Sequence, residues 1–305
     1  MCRKIGVPCE ANEPKRRIML VILGWLVVTA AVVGGYVAAG GHLGVLYQPY
    51  EFVIIFGAGF GAIVCSSGMA TLKGLGGGFM RAIKGPKYKK PDYLELLCLL
   101  YQIFRLAKSK GNLGLEQHTE NPQDSALFQQ FPTFYSDHHT VEFVCDYLRL
   151  MTLGADNPHE VEALMDLELE THHQEEGAVG DALQGLADAL PALGIVAAVL
   201  GVIHTMGLMS EPPEVLGHAI GAALVGTFSG ILMAYGFVGP LAGAYISAMK
   251  EDQKYYECLK AGILAHMSGS PPAVAIEFAR KTLLSHTRPT FFEVEDAASE
   301  LPAPA

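Results

Sequence analysis

The stretch LADALPALGIVAAVLGVIHTMGLM, residues 186–209, holds one carboxylate, Asp188, near its start, and no lysine or arginine. It exceeds the ~20 residues a helix needs to cross the hydrocarbon core of a bilayer. Within it Pro191, Gly194, Ala198, Gly201 and Thr205 recur at intervals of three and four, so small side chains form one stripe along a helix. A second run, 216–249, carries Ala222, Gly226, Gly230 and Ala234 at every fourth position, with Thr227 on the adjacent ridge beside Ala219 and Ala223. Small residues at such spacing let membrane helices approach closely. The plain reading is helix packing within one subunit; the functional one is a pore wall facing a partner helix. The run 216–249 is longer than a straight span needs, and Pro240 is its expected bend.

Working outward, runs 18–39 and 52–72 complete four predicted spans. The first is too long for a signal-peptide core and lacks an A-x-A site, so it reads as a retained helix. Of the 305 residues, 50% are hydrophobic and 17% charged, against about a quarter charged in soluble domains. Mean hydropathy is +0.29. The net charge of −10, with no basic stripe, excludes nucleic acid as a partner. The 6 cysteines form no CxxC pair, so neither a zinc site nor a disulfide framework is implied. All 21 lysines and arginines fall in 1–17, 73–149 or 250–288. By the positive-inside rule those segments and both termini are cytoplasmic.

The resulting plan is an all-α membrane protein with four transmembrane helices and a helical cytoplasmic domain between helices two and three. Residues 1–17 are an N-terminal extension, 18–72 hold spans one and two, 73–185 the cytoplasmic domain, 186–249 spans three and four, 250–292 a helical extension, and 293–305 a disordered tail rich in acid, proline and alanine. Met19 is a candidate initiator, which would leave 1–17 untranslated; the alternative is a short basic anchor of Arg3, Lys4, Lys15, Arg16 and Arg17. Residues 73–90, with Lys73, Arg81, Lys84, Lys87, Lys89 and Lys90, suit a segment lying on anionic membrane lipid. A helix is expected from an Asp92 cap with Glu95 three residues on, buried along Leu96, Leu100, Ile103 and Ala107 and ended by Gly111. A second follows Ser136 with Val141, Val144, Leu148 and Met151 inward, and a third starts at Asn157-Pro158.

The spans contain almost nothing ionisable. Glu51 and Asp188 read as edge residues and His204 as the one deep titratable group apart from cysteine and tyrosine, so no buried carboxylate is expected. A chain of this kind that conducts protons needs a partner to bring the acid.

At these residues the sequence resembles the MotA family of flagellar stator subunits, within the MotA/TolQ/ExbB superfamily. The resemblance spans 19–295. It is carried by Leu23 to Gly41, Leu46-Tyr47-Gln48-Pro49, Val53-Ile54-Ile55, Pro191-Ala192-Leu193-Gly194-Ile195-Val196-Ala197-Ala198, Val225-Gly226-Thr227 through Pro240, and Glu277-Phe278-Ala279-Arg280-Lys281-Thr282-Leu283. It implies a non-enzymatic subunit of the bacterial inner membrane, a homopentamer surrounding a MotB dimer whose transmembrane helix carries the proton-accepting aspartate. It further implies a proton channel that turns the rotor through FliG, with no cofactor. One charge crossing 100 mV is worth ~2.3 kcal/mol, enough to drive small steps. The family's two prolines match Pro191 and Pro240, and its threonine near the partner aspartate matches Thr227. Sodium-driven relatives carry a second threonine where this chain has Ala198, which favours protons. Gly194, Gly201 and Thr205 complete the expected channel lining.

The family's rotor-facing arginine falls on Lys108 or Lys110, its glutamate on Glu116 ahead of Glu120-Asn121-Pro122, and Glu168 is a further candidate. Lysine keeps the charge but loses the bidentate fork. An isolated surface charge is otherwise a solvated group of little energetic weight. One competing reading is an ExbB/TolQ-like energiser of another envelope process, disfavoured by four spans where those relatives usually have three. Another is a metalloenzyme built on Glu168, Glu170, His172, His173, Glu175 and Glu176. Adjacent histidines on a helix diverge, and no HExxH framework supports it.

Overall fold

The computed structural model describes residues 13–302, and every described element is helical. In chain order the helices are α1 Glu13–Ala38, α2 Leu43–Leu46, α3 Pro49–Ser66, α4 Met69–Lys84, α5 Lys90–Lys110, α6 Glu116–Glu120, α7 Pro132–Tyr135, α8 His138–Thr152, α9 Pro158–Met206, α10 Pro213–Leu232, α11 Gly239–Met267, α12 Pro272–Lys281 and α13 Phe291–Ser299. Most of the expected 1–17 extension lies outside the described residues.

Two compact units emerge. One combines Gln174–Met249 with the described part of Ala11–Gly85; the other combines Pro86–His173 with the described part of Lys250–Ala305. The first holds the apolar helices. Four stretches, Ile18–Ala38, Leu43–Ser66, Pro158–Met206 and Pro213–Met267, are long and apolar enough to cross a membrane. The expected second span, 52–72, is corrected. Its helix ends at Ser66, Ser67 turns extended, and residues 69–72 open the separate helix α4. α4 is amphipathic, with Arg81 and Lys84 in its last turn. It belongs with the apolar helices rather than with a domain of 73–185. Methyl groups at Gly74 and Gly78 would meet Val179 side-chain carbons at 2.9 and 2.6 Å, so only glycine admits that approach. Arg81 Nη1 also donates to Glu176 Oε1 at 2.9 Å, and Tyr245 OH donates to Glu176 O at 3.0 Å.

The expected irregularity at Pro240 takes the form of a π-helical turn, Met233–Val238, immediately before it. Proline offers no N–H to the preceding turn and its ring crowds that turn's carbonyl, so the ladder widens by one residue instead of continuing. Pro191, by contrast, sits inside the unbroken helix α9.

In the second unit α5 is the central helix. Leu96, Leu97, Leu99, Leu100, Ile103 and Phe104 are all buried, so it is enclosed on more sides than the expected single stripe. α7, α8, α9, α11, α12 and α13 add to this core, together with Tyr88, Leu115, Leu127, Phe128 and Phe131 between helices. Burial pushes the thiols of Cys98 and Cys145 up to about 12, which leaves both inert. The start of α5 differs from the Asp92 cap read in sequence. Lys89 is the N-cap, Asp92 Oδ2 accepts from the Lys89 amide at 2.9 Å, and Gly111, with φ +76, marks the far end. Glu95 instead caps α7, accepting from the amides of Thr133 at 2.7 Å and Phe134 at 3.2 Å. The helix after Ser136 and the Asn157-Pro158 start are found as expected, the Asn157 Oδ1 accepting from the His159 amide at 3.1 Å.

The disordered tail expected at 293–305 is corrected over its described part. A capping box pairs Thr290 with Glu293, and α13 buries Val294, Ala297 and Ala298 in the core. Lys90 Nζ lies 2.8 Å from Glu293 Oε1, and Gln102 Nε2 donates to Pro302 O at 2.9 Å. Composition alone hides the three apolar residues at helical spacing.

Candidate functional site

In the apolar unit, α9 and α10 touch backbone to backbone. A methyl group added at Gly194 would meet Gly226 O at 2.9 Å and Gly230 Cα at 3.1 Å. At Gly230 it would meet Leu190 O at 2.6 Å, and at Gly201 it would meet Ala223 Cα at 2.8 Å. The two small-residue stripes therefore close on each other inside one chain. For Gly194, Gly201, Gly226 and Gly230 the packing role is what the geometry shows. Thr205 is buried too, its Oγ1 donating to Gly201 O at 2.8 Å. Pro191, Ala198 and Thr227 are half-buried at the margins of this seam, and Pro240 is exposed. Gly201 is half-buried as well, while Gly194, Gly226 and Gly230 are buried.

A carboxylate lies in the seam, contrary to the sequence reading. Glu51, in the first turn of α3, brings Oε2 to 3.0 Å from where a Gly226 methyl would stand and Oε1 to 3.5 Å from the same point at Gly201. Its Oε2 is buried without a hydrogen-bond partner among the described residues. Proline is favoured in a helix's first turn. Pro49 therefore signalled that this helix starts before residue 52, which draws Glu51 into it.

In the other unit, Lys108 and Lys110 are exposed on the last turn of α5 and Glu116 is exposed at the start of α6. Lys110, Leu113, Gly114, Glu116, Gln117 and Glu120 line one depression of ≈ 400 Å³; Lys108 and Glu168 do not. Arg149 of α8 braces its edge: Nε donates to Glu120 Oε1 at 2.9 Å and Nη2 to Thr119 O at 3.1 Å. Beneath it His118 Nδ1 lies 2.8 Å from Ser125 Oγ, and burial, then the Lys110 charge, lowers the imidazole's pKa. Sequence spacing gave no hint of Arg149. Glu168 has a structural partner, accepting from Tyr147 OH at 2.5 Å.

The acidic and histidine-rich stretch of α9 lines a cleft of ≈ 510 Å³ that includes Glu170, His172 and His173. His172 packs against Tyr256 with ring centroids 5.2 Å apart, and His173 bonds Gln253, so both imidazoles are engaged by α11. Among the described residues no group of three His, Cys, Asp or Glu side chains is placed to hold a metal.

Apolar helices sealed by a glycine seam, joined to a helical unit that presents opposite charges in one depression, define a polytopic membrane protein. The model of the motility protein A N-terminal region matches residues 22–111, and that of the MotA/TolQ/ExbB proton channel family matches 136–257. Motility protein A of Salmonella typhimurium is 44% identical over 278 residues, covering 91% of this chain and 94% of that one. Among solved structures, C. jejuni MotAB superposes with a TM-score of 0.70 at 19% identity, covering 88% of this chain and 96% of that one. The flagellar MotAB stator complex from Bacillus subtilis superposes with a TM-score of 0.62 at 25% identity, covering 87% and 94%. The chain belongs to the motility protein A family.

Proposed function

We propose that this flagellar stator subunit, a protein of the bacterial inner membrane, assembles with MotB into a proton channel and passes the work of proton flow to the rotor protein FliG. Five copies surround a MotB dimer, and both termini face the cytoplasm, as the confinement of lysine and arginine to three segments favours. The open margins of the seam, Pro191, Ala198, Thr227 and Pro240, meet the partner helices. Lys110 and Glu116 present the rotor-contacting charges, and the observation that carries this part is their placement in one exposed depression. Lys108 lies outside that depression, which favours Lys110 as the basic member. Glu168, bonded to Tyr147, is assigned to holding α8 on α9 rather than to the rotor.

Motility of a deletion strain carrying the gene, in sodium-free medium with and without a protonophore, tests the reading. Swimming that persists without sodium and stops with the protonophore is expected. Swimming that requires sodium would overturn proton coupling. A deletion that leaves motility intact and abolishes siderophore uptake would favour an ExbB/TolQ-like role instead.

A further inference from the structure

Along α9, Asp181, Gln184, Asp188, Ala192, Ile195 and Val199 recur at intervals of three and four, so they share one stripe. All are exposed except Gln184, which is half-buried. The stripe runs beside the ridge of Pro191 and Ala198 at the margin of the seam. From Ala192 toward Met206 it is apolar, and from Asp188 back to Asp181 it is polar. Asp188 is the one carboxylate in the two wall stretches 186–209 and 216–249. Helices packed on α9 at this level bring no second charge. Residues 216–249 hold His218, Tyr235 and Tyr245 as their titratable groups. α3 carries Cys65, and its Glu51 is held farther along α9, beside Gly201. Toward the start of α9, Arg81 of α4 is tied to Glu176.

Two features equip Asp188 to handle protons. Proline has no N–H, so Pro191 gives nothing to the Ala187 carbonyl one turn back in the unbroken helix. That oxygen and the Asp188 carboxylate follow one another within ~4.5 Å of helix axis below Pro191. Gln184 Nε2 donates to Asp188 Oδ1 at 2.9 Å, and no other hydrogen bond or ion pair holds the carboxylate among the described residues. Helical side chains lean toward the N-terminus, so the carboxylate points from Pro191 toward Gln184 and Asp181. A proton does not cross hydrocarbon as a bare charge; it moves between oxygen and nitrogen atoms, and carboxylates in membrane segments mark such routes. Resting on the proton-channel reading and its topology, we propose that Asp188 is the exit carboxylate of the channel. The proton leaves the partner subunit's carboxylic acid, passes through water at the Ala187 carbonyl, and bonds an Asp188 oxygen. Asp188 then releases it to cytoplasmic water. Each transfer forms one O–H bond as another breaks, so the partner's carboxyl is left ionised and Asp188 ends as the carboxylate it began as.

The test uses the full chain with its partner subunit, in the unplugged form, in vesicles with a pH-sensitive dye inside and an imposed membrane potential. Proton flux is read as the difference from vesicles without protein, with and without azide, a small weak acid that ferries protons. Asp188→Asn should lower the flux by about tenfold, the scale of a lost proton-transfer group, and azide should restore most of it. Asp188→Glu, which keeps the acid, should conduct like the parent. Parental flux in Asp188→Asn would overturn the proposal. A loss that neither azide nor glutamate repairs would also overturn it, by showing that Asp188 serves assembly of the wall. A parent complex that passes no protons would remove the channel reading itself, and the exit role with it.

Discussion

Replacing Gly230 with alanine places a methyl group 2.6 Å from Leu190 O, 2.8 Å from Gly194 Cα and 3.2 Å from Gly194 N. All three are backbone atoms, so no rotamer change relieves the clash and α9 must move away from α10. Overpacking of this kind costs ~1–3 kcal/mol. Alanine recovers up to ~1 kcal/mol of helix propensity relative to glycine. Because the contacts under 3.0 Å are with main-chain atoms, the clash falls in the upper half of that range, and the net expectation is a loss of about 1–2 kcal/mol. Gly217, on the same helix, has nothing within 4 Å of its added methyl, so Gly217→Ala keeps the propensity gain alone. Thermal unfolding of the purified proteins in one detergent should rank Gly217→Ala at or above the parent and Gly230→Ala clearly below it. Coincident midpoints for Gly230→Ala and the parent would refute the backbone seam.

Asp137 supplies a pH test. Burial alone would push its carboxyl up, but hydrogen bonds from Lys87, Tyr88 and Thr140 hold it below the usual carboxylate range. With the folded pKa below an unfolded value of ~3.9, this stabilisation is complete above about pH 4 and fades as pH falls through the folded value. Asp137→Asn should remove that acid dependence and cost ~1–3 kcal/mol at neutral pH, read from melting curves across the acid range. Thr290→Val removes the α13 cap and should loosen the C-terminal helix by ~0.5–2 kcal/mol, seen as faster proteolysis after residue 290. Glu116→Lys should impair rotation while leaving ion leak through the unplugged complex unchanged, since Glu116 stands in the other unit from the apolar helices; equal loss of both would contradict a rotor-contact role. Ala198→Thr should alter ion use or torque with membrane insertion intact, as Ala198 is half-buried; loss of insertion would assign it to folding instead.

The apolar runs were legible because their length and charge asymmetry are set by the bilayer and need no tertiary information. Stripes such as Val141, Val144, Leu148 and Met151 were legible for the same local reason, since one helix face carries the whole signal. What failed depended on partners distant in sequence. Glu95 has the spacing of a cap for its own helix, but it caps α7 because Thr133 and Phe134 arrive from a separate segment. The stripe of Gly194 and Gly201 announced close packing without saying against what, and the answer lay in Gly230 and Ala223. Glu51 was missed through a boundary placed at residue 52 when the helix starts at Pro49. α13 was missed because its short apolar set, Val294, Ala297 and Ala298, is diluted by acidic neighbours.

Contact at the level of main-chain atoms has a mechanical consequence for α9 and α10. Side chains that interdigitate can slip by changing rotamer, but Gly230 seated on Leu190 O and Gly194 has nothing to swing aside. The backbone contact therefore ties the pair into one plank, with neither helix free to slide along the other. Any compliance in this hairpin is left to its outer surfaces and to the widened turn at Met233–Val238, where one residue too many per coil leaves a joint that can rewind.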